Sequence, residues 1–186
     1  MEDKVIIGID PGTIVMGYGI LRVVAGKPML EAMGILRLDR YSSHYVRLLR
    51  IQESVEALIS RYAPTDMALE APFYGKNIQT TLKLGRAQGA AMVAAQKGGI
   101  NVSEYAPTTI KRMIAGQGNA GKEQVARMLQ YMLNIPEDAM MEKNDATDAV
   151  AVALTHHLQL LRPHQGHSNS SWSDYIKLHP DRVKRK

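Results

Sequence analysis

The 186-residue chain contains no cysteine, a single phenylalanine and a single tryptophan. Without cysteine it can form neither a disulfide nor a thiolate metal site, which is compatible with a reducing compartment. No uninterrupted apolar run approaches the ~18 residues of a transmembrane helix, and the opening MEDK lacks the basic and apolar segments of a signal peptide. We therefore expect a cytoplasmic protein that does not insert into a membrane.

The composition is that of an ordinary globular protein with an excess of basic residues. Hydrophobic residues make up 45% of the chain, which is enough for one substantial core, and the length favours a single domain. The net charge is +5 and the isoelectric point is about 9.4. This charge suits a polyanionic partner such as nucleic acid, but many basic proteins never bind DNA.

Hydrophobic spacing predicts an α/β fold. Short apolar runs indicate strands at residues 4–9, 15–24, 29–38, 66–70 and 100–105. Spacings of three and four residues indicate helices at about residues 48–62, 80–97, 107–116, 122–133 and 143–161. Three strands in series, then alternating helix and strand, then helices, predict a five-stranded mixed sheet. We expect three antiparallel strands, then parallel strands, flanked by helices.

The hydrophobic pattern ends after residue 161. The following segment HQGHSNSSWSD is polar, and the final segment DRVKRK is mostly basic. Such a composition cannot build a packed core. We therefore predict one domain over residues 1–161 and a flexible basic tail over residues 162–186, which could add salt-sensitive affinity for DNA.

Two acidic residues end neighbouring strands of the predicted sheet. Asp10 ends the first strand and Glu70 ends the fourth. The helical segment between the third and fourth strands is long enough for a crossover, so the fourth strand can lie parallel to the first. Ligands bind at the carboxyl ends of such strands. We therefore expect Asp10 and Glu70 to lie side by side in a ligand-binding crevice.

Two further acids share one face of the last helix, because Asp145 and Asp148 are three residues apart. If this helix crosses the crevice, four carboxylates converge. Oxygen ligands without cysteine or paired histidine favour Mg²⁺ or Mn²⁺ over Zn²⁺. Two such ions roughly 3.5 to 4 Å apart can stabilise the attacking and leaving oxygens of a phosphodiester. Taken singly, each acid could instead be a turn former, a solvated strand end or a helix cap.

The glycines after Asp10 allow other interpretations. Gly12 and Gly17 have the spacing of a P-loop, but Tyr18 stands where a P-loop requires lysine, which excludes that motif. The strand, DPGT turn and strand also resemble the phosphate loop of actin-like and sugar-kinase ATPases, but those enzymes need two such domains. We expect these glycines to serve a tight hairpin and the close approach of DNA.

Several motifs, taken together and in this order, resemble the RuvC family of bacterial Holliday-junction resolvases, which have the ribonuclease-H-like fold. The resemblance covers about residues 4–160 and is carried by GIDPGT with GYG, LE followed by F and KN, LKLGRAQGAAMVAA, EY, and DATDA. It implies a homodimer that nicks two opposed strands of a four-way DNA junction symmetrically, with Mg²⁺ or substituting Mn²⁺, in recombination and repair. Branch-migration motor proteins are its implied partners.

The resemblance also implies roles for individual residues. It assigns catalysis and metal binding to Asp10, Glu70, Asp145 and Asp148, and DNA binding to Phe73, Lys76, Lys111 and Lys122. Phe73 would stack on an unpaired base, a contact worth ~1 to 3 kcal/mol, although burial is the commoner fate of phenylalanine. Lys111 and Lys122 would contact phosphates near the scissile bond. The helix rich in glycine and alanine would form the dimer interface, or pack on the sheet.

Three classes of function therefore remain open at this point. The first is a junction-selective endonuclease. The second is a non-nucleolytic ribonuclease-H-like or actin-like protein that binds nucleotide or nucleic acid, in which the acids are structural. The third is a DNA-binding module without catalysis. The presence of four carboxylates together with Lys111 and Lys122 favours the endonuclease.

Overall fold

A five-stranded mixed sheet forms the centre of the molecule. The computed structural model describes residues 3–71, 77–136 and 144–162. The strands are β1 (Lys4–Asp10), β2 (Val15–Val24), β3 (Lys27–Arg37), β4 (Asp66–Glu70) and β5 (Asn101–Tyr105). Their order is β3-β2-β1-β4-β5, in which β2 runs antiparallel to both β1 and β3, and β4 runs parallel to both β1 and β5. The predicted five-stranded mixed sheet is confirmed.

The helices cover both faces of this sheet. Within the described ranges they are α1 (His44–Tyr62), α2 (Ile78–Lys97), α3 (Pro107–Ala115), α4 (Lys122–Leu133) and α5 (Asn144–Leu161). None of these helices is long and apolar enough to cross a bilayer. Helix α1 begins about four residues before the predicted start, and the apolar residues of its first turn, Tyr45 and Val46, are exposed and do not contribute to the core.

The hairpin between β2 and β3 is tighter than predicted. Only Ala25 and Gly26 form the turn, and both have positive φ, at 51° and 78°. Two central residues with positive φ match the twist of antiparallel strands, which lets β3 begin at once. Pro28 therefore lies within β3, opposite Val23, and not in the loop.

Side-chain alternation along β1 separates two apolar layers. Val5, Ile7 and Ile9 pack with residues of α1 and α2, whereas Ile6 packs with residues of α3, α4 and α5. Because side chains alternate along a strand, Asp10 faces the same side as Ile6. The sheet therefore directs its terminal acid toward α5.

Helix α5 lies directly on β1 and β2 at two glycines. A Cβ atom at Gly8 would overlap the carbonyl oxygen of Ala149, and one at Gly17 would overlap that of Asp145. The expectation that DNA approaches closely at these glycines is wrong at Gly17, because α5 takes the space. Gly12 does serve a tight turn, since a Cβ there would overlap the carbonyl oxygen of Val15.

Candidate active site

The carboxyl ends of β1 and β4 bring the first two acids together. Asp10 is the last residue of β1 and Glu70 is the last residue of β4. The strands pair in parallel, with Ile9 opposite Leu69, so the two acids extend from one edge of the sheet. Both acids line the same cleft. The sequence prediction for this pair follows from strand order and alternation alone.

The first turns of α5 supply the other two acids. One carboxylate oxygen from each of Asp10, Asp145 and Asp148 lies within 4.8 Å of the other two. Glu70 and Asp148 line the cleft beside Asp10. The helix reaches this position because the glycines beneath it allow a close backbone approach. Oxygen donors at this separation, without a nearby thiolate, fit a hard divalent cation such as Mg²⁺ or Mn²⁺.

Burial and mutual repulsion raise the pKa values of Asp10 and Glu70 above those of ordinary carboxyl groups. Burial, together with the charges of Glu70, Asp148 and Asp145, raises the pKa of Asp10 to about 8. Burial also raises the pKa of Glu70, with Asp148 contributing, while Lys122 opposes both shifts. Carboxylates that repel one another in a partly dry cleft favour a bound cation, because the cation offsets the repulsion.

Two of the four predicted DNA-binding residues line the same cleft. Lys122, the first residue of α4, donates a hydrogen bond from Nζ to Asp148 Oδ2 at 2.7 Å. This bond raises the pKa of Lys122, so its ammonium group stays charged. Lys111 reaches the cleft from α3. Phe73 and Lys76 lie outside the described residues.

Apolar walls surround these charges. The cleft has a volume of about 300 Å³, and its apolar lining consists of Pro107, Ile110, Val125 and Ala151. The sequence analysis did not identify these residues as part of the site. The signal was available in the amphipathic spacing of α3 and α4, where Lys111 follows Ile110 and Lys122 precedes Val125 by three residues.

The turn after Asp10 is held in place by α1. Arg47 donates from Nη1 to the carbonyl oxygen of Thr13 at 3.3 Å and from Nε to that of Tyr41 at 2.6 Å. One guanidinium group therefore ties the DPGT turn to the segment before α1. Sequence reasoning missed this contact, because it began the helix after Arg47.

Comparison with known proteins agrees with this geometry. The family model described as "Crossover junction endodeoxyribonuclease RuvC" matches residues 6–156. The chain is 49% identical over 186 residues to the protein of that name from Porphyromonas gingivalis, covering 98% of each chain. It is 50% identical over 184 residues to the one from Bacteroides fragilis, covering 99% of this chain and 98% of the relative.

A solved structure shares the fold. "T. thermophilus RuvC in complex with Holliday junction substrate" superposes with a TM-score of 0.78 at 32% identity, covering 84% of this chain and 94% of that chain. The family match runs from β1 into α5 and therefore includes the two strands and the helix that hold the four acids. The chain therefore belongs to the RuvC family of crossover junction endodeoxyribonucleases.

Proposed function

We propose that this protein resolves four-way DNA junctions by metal-dependent hydrolysis of one phosphodiester bond in each of two opposed strands, during recombination and repair. The observation that carries the proposal is the convergence of Asp10, Asp145 and Asp148, whose carboxylate oxygens lie within 4.8 Å of one another. Glu70 completes the acidic wall of the cleft. The Thermus thermophilus RuvC solved with a Holliday junction supports the choice of substrate.

The four acids are the proposed metal ligands and catalytic residues. Asp10, Glu70, Asp145 and Asp148 would hold Mg²⁺, with Mn²⁺ as a substitute, and we propose two ions in each site. When bound, such ions polarise the phosphate and lower the pKa of water, which supplies the nucleophile. The protein contributes the fixed placement of the ligands: β1 and β4 set the separation of one pair, and α5 sets that of the other.

The lysines would stabilise charge on the scissile phosphate. Lys122 remains charged beside Asp148, and most of its side chain is exposed, so it can turn toward a phosphate in the cleft. Lys111 approaches from α3 on the adjacent wall. Fixed cations near a phosphate act where negative charge develops in the transition state.

The contacts outside the described ranges rest on the family resemblance. Phe73 is proposed to stack on an unpaired base at the junction, and Lys76 to contact the DNA backbone. The nuclease domain is proposed to span residues 1–161, and the basic tail of residues 162–186 to add nonspecific affinity. A cytoplasmic location and delivery of junctions by branch-migration motor proteins belong to the same proposal.

A homodimer is proposed to form through α2. Ile78, Leu82 and Val93 are 72%, 50% and 52% exposed, and they follow one face of the helix. On the same face lie Gly85 and Gly89, where an added Cβ would meet nothing within 4 Å. A helix stripe of exposed apolar and small residues suits contact with another protein surface. A two-fold dimer would offer one site to each of two opposed strands.

The test uses an end-labelled synthetic junction beside a linear duplex of the same sequence. With Mg²⁺, the protein should nick the junction at symmetric positions on two opposed strands and leave the duplex intact. The variant Asp10→Asn should bind the junction without cutting it, because it keeps the shape of the site but loses a ligand charge. Failure to cut the junction in both Mg²⁺ and Mn²⁺ would contradict the proposal.

A further inference from the structure

Five polar residues meet where α5 packs on the sheet, and none of them lines the acidic cleft. The Tyr105 hydroxyl lies 2.7 Å from His156 Nδ1, and His156 Nε2 lies 3.6 Å from Asp66 Oδ1. Asp66 Oδ2 also accepts hydrogen bonds from Lys4 Nζ at 3.3 Å and from the Thr65 hydroxyl at 2.7 Å. Asp66 and His156 are each 5% exposed. We call these five residues the Asp66–His156 network.

The protonation states of these residues decide which atom donates and which accepts in each contact. Although burial opposes its ionisation, the Thr65 hydroxyl and the Lys4 ammonium hold the pKa of Asp66 below its usual value. Burial lowers the pKa of His156 and raises that of Tyr105, so both are neutral. The tyrosine therefore donates to Nδ1, and the imidazole proton on Nε2 faces Asp66. At 3.6 Å this second contact is electrostatic, longer than a hydrogen bond.

Apolar packing alone does not require such a network. The surrounding layer is aliphatic, formed by residues such as Ile6, Ala68 and Leu154. Burying an ionised carboxylate costs free energy, and hydrophobic side chains of similar volume often give equal or greater stability. A buried polar network, in contrast, has directional contacts that favour one arrangement of its elements.

The network joins the same elements that carry the four acids. Lys4 is on β1, Asp66 is on β4 and His156 is on α5. Asp66 and Glu70 lie on one face of β4, four residues apart. His156 follows Asp148 by eight residues, about 12 Å along the helix. Asp66 and His156 are therefore at the opposite end of the helix–sheet contact from the acids, and Tyr105, which pairs with Glu70 between β5 and β4, reaches from the acidic end to His156.

Glycines of the sheet and small residues of α5 make part of the contact between those two ends, and the larger Val152 and Leu154 are buried beside them. At Gly8 the backbone and side chain of α5 that approach the sheet belong to Ala149 and Ala153. At Gly19 the approaching residue is Val150. Small residues fix the distance between a helix and a sheet, but they resist sliding along the helix axis less than interlocking side chains do. A directional contact such as the one between Tyr105 and His156 therefore adds resistance to sliding that the small residues do not supply.

We propose that Tyr105, His156 and Asp66 are positioning residues, which fix the axial register of α5 on the sheet and so hold Asp145 and Asp148 at the correct separation from Asp10 and Glu70. The inference rests on the metal-dependent function proposed above. A misplacement of ~1 Å at a reacting centre can reduce a rate on the order of 10²-fold. A one-residue slip of α5 would move its two acids by about 1.5 Å.

The test compares variants that change the network without adding bulk. Tyr105→Phe removes one hydroxyl group, and His156→Leu removes both imidazole contacts. Mn²⁺ binding to the DNA-free protein is measured by electron paramagnetic resonance, and the single-turnover rate is measured on a saturating four-way junction. We expect both Mn²⁺ affinity and rate to fall about 10-fold in Tyr105→Phe, as when residues that orient metal ligands are changed. Junction affinity in EDTA should be unchanged.

Two further variants serve as control and rescue. Thr155→Val changes a neighbouring buried hydroxyl whose oxygen has no hydrogen-bond partner among the described residues, so it should leave Mn²⁺ binding and rate unchanged. His156→Asn places an amide group close to the former Nδ1 position and should retain the Tyr105 contact. It should therefore preserve more Mn²⁺ affinity than His156→Leu.

The outcomes separate positioning from a merely structural role. A folded Tyr105→Phe that keeps junction affinity but loses Mn²⁺ affinity and rate supports the proposal. A lower melting temperature with unchanged Mn²⁺ affinity and rate overturns it, as does no change in any measurement. If the wild-type protein cuts no junction, the proposed function fails, but the DNA-free Mn²⁺ titrations still test the positioning of the acids.

Discussion

Asp10 has a carboxyl group that folding removes from water and places among three other acids. Burial, and then Glu70, Asp148 and Asp145, raise its pKa from 3.8 to about 8. The folded state therefore holds this proton more tightly than the unfolded chain. The resulting stability is fully present below about pH 4 and is lost as the pH rises toward about 8. Metal binding relieves the same repulsion, so metal and proton compete for one site.

The first prediction concerns the pH dependence of the metal-free protein. In EDTA, the contribution of Asp10 to the free energy of unfolding should decrease between about pH 5 and about pH 8, by an amount on the order of a few kcal/mol. Adding Mg²⁺ at about pH 8 should raise the melting temperature. Thermal unfolding across this range, with and without Mg²⁺, measures both effects, and a Mg²⁺-independent melting temperature would contradict the metal site.

The second prediction uses Asp10→Asn to remove the repulsion. The amide carries no charge, so this variant should melt at a higher temperature than the wild-type protein in EDTA at about pH 8, and it should show a smaller dependence on pH. It should gain less stability from Mg²⁺. Calorimetry on both proteins measures this difference. Equal melting temperatures at about pH 8 would show that the acids do not strain the folded state.

The third prediction separates catalysis from DNA affinity at Lys122. Lys122→Gln should lower the single-turnover cleavage rate about 10²-fold, because a fixed cation at the scissile phosphate is lost. Its effect on junction affinity should be much smaller. The matched control is Lys97→Gln, which changes a lysine paired with Glu56 at the far end of α2. Equal losses of rate in the two variants would show that Lys122 does not stabilise charge at the scissile phosphate.

At the scale of elements, the contact between α5 and the sheet sets the position of Asp145 and Asp148 relative to Asp10 and Glu70. Gly8 is part of a strand whose neighbours are buried aliphatic residues, and its missing side chain leaves room for the backbone of α5. The same holds at Gly17 on β2, beside Asp145. The separation between α5 and the sheet therefore depends on two glycines within predicted strands, where the sequence pattern gave no sign that a helix would pack on them.

The fourth prediction tests this contact with Gly8→Ala. The added methyl group would overlap Ala149 and Ala153, so we expect a loss of about 1 to 3 kcal/mol in the free energy of unfolding, and a lower cleavage rate. Gly85→Ala is the control for unfolding only: Gly85 lies within a helix and a methyl group there meets nothing within 4 Å in the chain itself, but it is on the proposed dimer stripe, so its cleavage rate is not compared. Urea unfolding measures both. An unaffected Gly8→Ala would show that α5 is not held this closely.

Local sequence patterns were sufficient to predict the strands, the helices and two pairs of neighbouring acids. Strand alternation and the crossover rule placed Asp10 beside Glu70, and helical spacing placed Asp145 with Asp148. Their convergence still depended on a helix lying across the strand ends, which spacing alone could not require. That placement depends on glycines that allow close approach, and sequence patterns do not show which element will occupy the space above them.

Contacts between distant parts of the chain escaped prediction for a similar reason. Asp66 begins a strand and His156 lies in an apolar helix, so neither has a local pattern that indicates its partner. The sequence separation of these residues is large, and only the packing of α5 on the sheet brings them within 3.6 Å. The contact of Arg47 was missed because the predicted helix began at residue 48, and its partners Thr13 and Tyr41 lie in other segments. Tertiary contacts decide all three positions.

At the scale of the whole molecule, the proposed function needs two sites in fixed relation. Our fifth prediction is that Val93→Glu produces monomers, because a buried carboxylate on the α2 stripe would be unpaired. Met29→Glu is the matched control: Met29 is 51% exposed, close to the 52% of Val93, but lies on β3. Sedimentation equilibrium should show a dimer for the wild type and control only. A dimeric Val93→Glu would place the interface elsewhere.

The most direct test of paired cleavage uses a supercoiled plasmid that extrudes a single cruciform. Two coordinated nicks across the cruciform junction convert this plasmid to a linear product, whereas one nick relaxes it to an open circle and removes the junction. With Mg²⁺, the protein should give linear DNA from the earliest times, and Asp10→Asn should give none. Open circles as the main product, or no cleavage in either Mg²⁺ or Mn²⁺, would contradict this account.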